Sequence, residues 1–268
     1  MGGISAVKRA AHAFVLVTAV LGGFAADAGA GGADIEARRK MERRAFSDAE
    51  VVDGFLKLAF GAEFRFGKRT DRIRKFDGPV RIFVHNRGAP DRRVRLSGII
   101  KDIRAHMKDL DISETSERAE ANAVVTLVRD RDMAVTMREL FGSDSARRIQ
   151  RRDEPQCLAG FTKDDSFRIR HAEIILVVDA GDFVFADCAY EEILQALGPI
   201  NDSDSIPWTM FNDDVSLGYF GIYDQLLLNT LYDPRLRPGM TRAQVKQILP
   251  SIIPDVRAFV ARINGLPR

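Results

Sequence analysis

Glu191, Gln195 and Asn201, with Glu192 beside the first and Gly198 between the other two, are the residues of this chain whose types and spacing could do chemistry. Glu191 and Gln195 stand four apart and share one face of a helix, and a helix ending at Gly198 could bring Asn201 round to meet them. One carboxylate and two amide oxygens are hard donors. They suit Ca²⁺ or Mg²⁺, weakly, better than Zn²⁺, which favours nitrogen and sulfur. Glu192 is a second carboxylate on the same helix. Adjacent Glu191 and Glu192 point about 100° apart on a helix, so they need not face one another as an acid and base pair. The same stretch also reads as scaffold. Ala189, Ile193, Ala196 and Leu197 would then pack on a sheet, leaving Glu191, Glu192 and Gln195 to line a shallow cleft or bond to neighbouring loops.

Positioning such a group takes a sheet behind the helix and loops in front of it. Ser47 with Glu50 three residues on is a capping box, and Val51, Val52, Phe55, Leu56, Leu58 and Ala59 continue an apolar helical face to Gly61. Residues 79–84 alternate as a half-buried strand, with a turn at Gly88, Ala89 and Pro90. Leu96, Ile99, Ile100, Ile103 and Met107 recur at helical spacing. A second strand is expected at 123–128, a short helix at 134–141, and a strand buried on both faces at 174–179. The helix with Glu191 and Gln195 follows. Residues 223–232 read as a helix. Thr241 with Gln244 caps another helix, which Pro250 and Pro254 are expected to break, leaving 256–263 as a last amphipathic turn or two.

Residues 1–30 have the three parts of a secretory signal peptide: Lys8-Arg9, an apolar run from Ala10 to Phe24, and small residues ending Ala28-Gly29-Ala30. Cleavage is expected after Ala30, with Ala28 as the second choice, and no membrane span is expected once it is removed. Residues 31–45 are dense in charge and read as a mobile lead-in. Export implies an oxidising compartment, so Cys157 and Cys188 are expected to form a disulfide that staples the segment before Phe161 to the start of the Glu191 helix. With 40 basic and 38 acidic residues the charge nearly balances, which gives no reason to expect nucleic acid as partner. His85, His106 and His171 lie in separate segments without motif spacing and read as ordinary surface or core histidines. The Asn and Asp residues of 201–205 and 212–214 lack the spacing of an EF-hand and fit turn and cap chemistry. The basic run from Arg147 to Arg152 reads as a solvated face.

In register, residues 191–201 read EExxQxxGxxN and resemble the active-site helix of the metzincin zinc proteases, HExxHxxGxxH. The resemblance implies an α/β (α+β), zincin-like mixed sheet with an active-site helix, a Met-turn at Met210 beneath the metal position, and C-terminal helices. It covers 46–234, with 235–268 as a helical appendage packed on that domain. Glu192 stands where the general base would be, and Glu191, Gln195 and Asn201 stand where the three imidazoles would be, so zinc is not expected. The chain as a whole resembles a family of exported bacterial proteins known only as a domain of unknown function. That likeness is carried by Cys188, Glu191, Glu192, Gln195, Leu197-Gly198, Asn201-Asp202, Phe211-Asn212-Asp213, residues 231–235 and Pro238-Gly239-Met240. Membership implies an envelope location and nothing about chemistry; the replaced imidazoles lead to the expectation of a non-catalytic protein whose former substrate cleft, between Glu192 and the loop from Asn201 to Met210, binds an envelope protein, a peptide or a cell-wall component. A divergent hydrolase, with Glu192 as base and an unusual metal or none, is the alternative.

Overall fold

Five strands, β1 (Val80–Asn86), β2 (Ile112–Glu114), β3 (Ala123–Val128), β4 (Cys157–Lys163) and β5 (Ile169–Val177), form one sheet in the order β2-β1-β3-β5-β4 in the computed structural model. The structure describes residues 26–60, 71–150, 155–199, 201 and 203–267. β2, β1, β3 and β5 run parallel, and β4 closes the edge antiparallel to β5. All six residues of the central β3 are buried, as its unbroken apolar run requires of a strand covered on both faces. Along β5, Ile174 and Leu176 enter the main core while Ile175 and Val177 enter a smaller one, the two-residue period of a strand.

Eight helices complete the described residues: α1 (Ala26–Met41), α2 (Asp48–Leu58), α3 (Arg93–His106), α4 (Asp130–Phe141), α5 (Ser143–Gln150), α6 (Asp182–Ala196), α7 (Ile222–Tyr232) and α8 (Arg242–Ile263). Met133 and Met137 of α4 and Ala146 and Ile149 of α5 cover the smaller core. The buried side chains of α2, α3, α6, α7 and α8 build the larger one. The mixed α/β architecture is therefore as expected. The Ser47 box closes in both directions: Glu50 N–H donates to Ser47 Oγ at 3.2 Å, and Ser47 N–H donates to the Glu50 carboxylate at 2.7 Å. Among the described residues no helix is long and apolar enough to cross a membrane.

Three expectations need correction. The charged segment read as a mobile lead-in is helical through Met41, with Ile35 buried and Arg38 donating to the Ser216 carbonyl at 2.6 Å. Its guanidinium groups find aromatic faces, Arg38 over Phe183 at 4.7 Å and Arg39 over Tyr219 at 4.8 Å, contacts no local pattern shows. Pro250 and Pro254 do not break α8, which runs on through both. Both prolines face solvent, where water can reach the carbonyls they leave unbonded, while Val245, Leu249, Ile252, Ile253 and Val256 bury the opposite face. β2 and β4 were not expected; one has three residues, and the other, Cys-Leu-Ala-Gly-Phe-Thr-Lys, has little β-branched character. Of the expected signal peptide, residues 1–25 lie outside the described residues.

Candidate functional site

α6 lies along β4 and β5 and is tied to its surroundings at each turn. At its start Asp182 pairs with Arg92 at 2.9 Å. Near its middle Cys188 is bonded to Cys157 at the head of β4, with the Cα atoms 5.8 Å apart, so the expected disulfide fixes the helix to the sheet edge. Two residues on, Tyr190 Oη donates to Asp102 of α3 at 2.7 Å. The apolar positions Ala189, Ile193, Ala196 and Leu197 are buried, as their spacing implies. Glu192 and Gln195 are buried with them, at 6 % and 2 % exposure, while Glu191 is half-buried. Met210 is buried in the same core.

Gly198 ends the helix for a steric reason. Its φ is +138°, and a Cβ there would lie 2.2 Å from the carbonyl oxygen of Arg74. The chain from Arg72 to Phe76 passes so close because its cations Arg74 and Lys75 reach the ends of α2 and α7. Asn201 Nδ2 donates to the carbonyl of Lys57 at 3.0 Å, Arg242 donates to that of Leu56 at 3.3 Å, and Arg74 donates to that of Ala59 at 3.5 Å. The last carbonyls of α2, which have no partner within a helix, thus receive donors from three distant parts of the chain. Lys75 treats α7 in the same way, its ammonium donating to Leu231 O at 2.9 Å and Asp233 O at 3.3 Å and lying 5.3 Å from the Tyr232 ring centre. Tyr232 Oη in turn donates to Leu197 O at 2.8 Å, at the foot of α6. Both cations are buried, and desolvation lowers Arg74 to about 10 and Lys75 to about 8.

The segment carrying Met210 hangs on one carboxyl. Asp224 of α7 is fully buried, accepting from Met210 N–H at 3.1 Å on one oxygen and from the Thr209 hydroxyl on the other. Burial raises it to about 7 in spite of those two bonds. The loop's amides do turn chemistry: Asn212 donates to Ile206 O at 2.9 Å and accepts from Asp214 N–H at 3.0 Å.

The three histidines stay apart. His85 is exposed on β1, His171 lies 2.8 Å from Glu173 on β5, and His106 pairs with Asp102 one turn earlier on α3. Burial pushes the Asp102 carboxyl up, but bonds from His106 and Tyr190 outweigh it and hold the group below the ordinary range, while the bond to Asp102 raises His106. Among the described residues no three His, Cys, Asp or Glu side chains converge as a metal cluster would require. The Asp102, His106 and Tyr190 group was not singled out from the sequence. The i,i+4 spacing of Asp102 and His106 was the available signal.

Fold and site together define a mixed α/β domain in which a disulfide pins a largely buried helix to the antiparallel edge of a five-stranded sheet. The chain belongs to a family of proteins of unknown function, DUF2927, whose family model matches residues 48–251. The match begins at α2 and ends within α8, so it takes in the sheet, α6, the Met210 turn and α7. No curated protein and no solved structure matches the chain.

Proposed function

We propose that this chain is an exported, non-catalytic, zincin-like envelope protein. It would bind a peptide, an envelope protein or a cell-wall component at the surface of the loop from Asn201 to Met210, beside the buried Glu192. The observation that carries the reading is the employment of the three positions where a zinc protease has imidazoles. Gln195 is buried in the core, Asn201 donates its amide to the end of α2, and Glu191 alone keeps a carboxylate partly open to solvent. Such a set offers no nitrogen or sulfur donor to zinc. The sheet that backs α6 supports the zincin-like comparison, and the Cys157–Cys188 bond supports an oxidising, extracytoplasmic location.

Metal analysis of the mature chain, purified from its native compartment, should find zinc far below one per chain. Glu192→Gln is nearly isosteric and should change stability or ligand affinity by only about 1 kcal/mol. A peptide or cell-wall fragment that wild type cleaves, with turnover lowered ~10²-fold or more by Glu192→Gln, would move the chain to the hydrolases. Stoichiometric zinc that disappears in Gln195→Ala would do the same.

A further inference from the structure

Two adjoining cavities lie away from α6's Glu191, Glu192 and Gln195. The larger is a groove of about 620 Å³ between the chain at Phe46, the start of α7 and the end of α8, walled by Ile222, Leu226, Val260, Ala261 and Leu266. Its volume is in the range of roughly 300–1,000 Å³ typical of small-molecule sites. Two arginines interrupt the apolar lining. Arg257 is committed to Asp48 and to the carbonyl of Phe46, whereas Arg44 is exposed. The smaller cavity, about 120 Å³, shares Arg44, Ile222 and Leu266 with the groove and is polar.

In this polar chamber Glu42 and Asp102 already have partners, Arg39 and Arg44 lie near Glu42, and donors remain. Glu42 accepts from the backbone N–H of Ile222, and Asp102 accepts from Tyr190 and pairs with His106. Gln225 donates to Phe220 O at 2.8 Å and accepts from Asn264 at 2.7 Å. Tyr219, which also lines the chamber, is 2 % exposed, and its hydroxyl has no hydrogen-bond partner among the described residues. A buried hydroxyl of this kind is costly unless something accepts its proton. The Arg39 guanidinium lies over the face of the same ring at 4.8 Å, which leaves its edge N–H groups for a ligand.

We infer that the two cavities form one site for a long-chain carboxylate, with the acyl chain in the groove and the carboxylate in the chamber between Tyr219, Arg39 and Arg44. The apolar groove takes a chain, the shared arginine marks where the head must sit, and a chamber a fifth the size of the groove suits a carboxylate better than a phosphoglycerol or sugar head. The site shares no residue with Glu191, Glu192, Gln195 or Asn201, so it stands or falls separately from the function proposed above.

Titration of the full chain with laurate, lauramide and acetate, followed by calorimetry, tests the assignment. Laurate should bind saturably at one per chain, and acetate should not bind. The double variant Arg39→Gln, Arg44→Gln, altered only at exposed positions, should weaken laurate by roughly tenfold or more while leaving lauramide unchanged. Tyr219→Phe should weaken laurate as well. Ala258→Trp, on the exposed wall of the groove, should abolish binding of both amphiphiles with the circular dichroism spectrum unchanged. The assignment is overturned if laurate fails to saturate, if the arginine variant binds both amphiphiles as wild type does, or if Ala258→Trp breaks a dimer of the chain in a protein that takes no laurate.

Discussion

Replacing Asp224 with Asn should remove a pH dependence of stability that the wild-type fold carries. The carboxyl is sealed between α7 and the Met210 turn, where burial raises it from 3.8 to about 7. Between those two values the unfolded chain gives up the proton while the folded chain keeps it. The folded state therefore binds more protons, and stability falls as pH rises through the window; below 3.8 and above about 7 this group adds no slope. A gap of about three pH units at 1.36 kcal/mol each sets an upper limit of about 4 kcal/mol. Asn keeps an acceptor for Met210 N–H or the Thr209 hydroxyl, fills nearly the same volume and does not titrate. Urea unfolding of both proteins at a series of pH values across the window is the assay. Glu42 and Asp187, which burial also raises, and His106 are common to both, so the difference between the two stabilities reports Asp224. Wild type should lose up to about 4 kcal/mol relative to Asp224→Asn as pH rises across the window. Parallel stability curves would refute the placement of a proton-bearing carboxyl beneath the turn.

Three other substitutions probe the supports of the site. The double variant Cys157→Ser, Cys188→Ser opens a cross-link between residues 31 apart and should lose roughly 3 kcal/mol by urea unfolding, with the circular dichroism spectrum retained. Gly198→Ala places a methyl against the Arg74 carbonyl at a φ that favours glycine, and should cost roughly 3 kcal/mol or more in thermal or urea unfolding; an unchanged midpoint would mean the two segments do not meet. Asn229→Ala removes the amide that accepts from Lys108 N–H at 2.8 Å and donates to His106 O at 2.9 Å. It should cost about 2 to 4 kcal/mol and speed hydrogen exchange at the end of α3.

Elements specified by neighbours in sequence were legible. The Ser47 box, the apolar β3 run and the i,i+4 apolar face of α3 each need only local spacing, and all three formed where expected. The disulfide was legible for a different reason, since the chain contains two cysteines. What stayed hidden depends on distant partners. Arg74 and Lys75 are adjacent cations in the sequence, yet they are buried because the ends of α2 and α7 converge there and offer carbonyls. Pro250 and Pro254 looked like breaks because propensity speaks for the isolated helix, whereas the buried face of α8 decides the outcome in the fold. Asn201 was legible as a possible ligand but not as a partner of Lys57, which lies 144 residues away in sequence.

α7 explains why polarity and burial coincide so often in this chain without marking chemistry. All eleven of its residues are buried, and four of them, Asp224, Gln225, Asn229 and Thr230, are polar. Each is answered by hydrogen bonds: Asp224 by the Met210 turn, Gln225 by Phe220 and Asn264, Asn229 by the end of α3, and Thr230 by the carbonyl of Leu226 at 2.7 Å. A helix enclosed by other elements on every side needs such links, because each neighbour brings backbone groups at its own ends that water cannot reach. The same physics places Asn201 against α2 and Lys75 against α7. A buried Asp, Asn or Lys here is thus accounted for once its main-chain partner is found. Tyr219 differs from this set, since it lines a cavity with a buried hydroxyl that no described residue answers, and it is there that an outside ligand has something to supply.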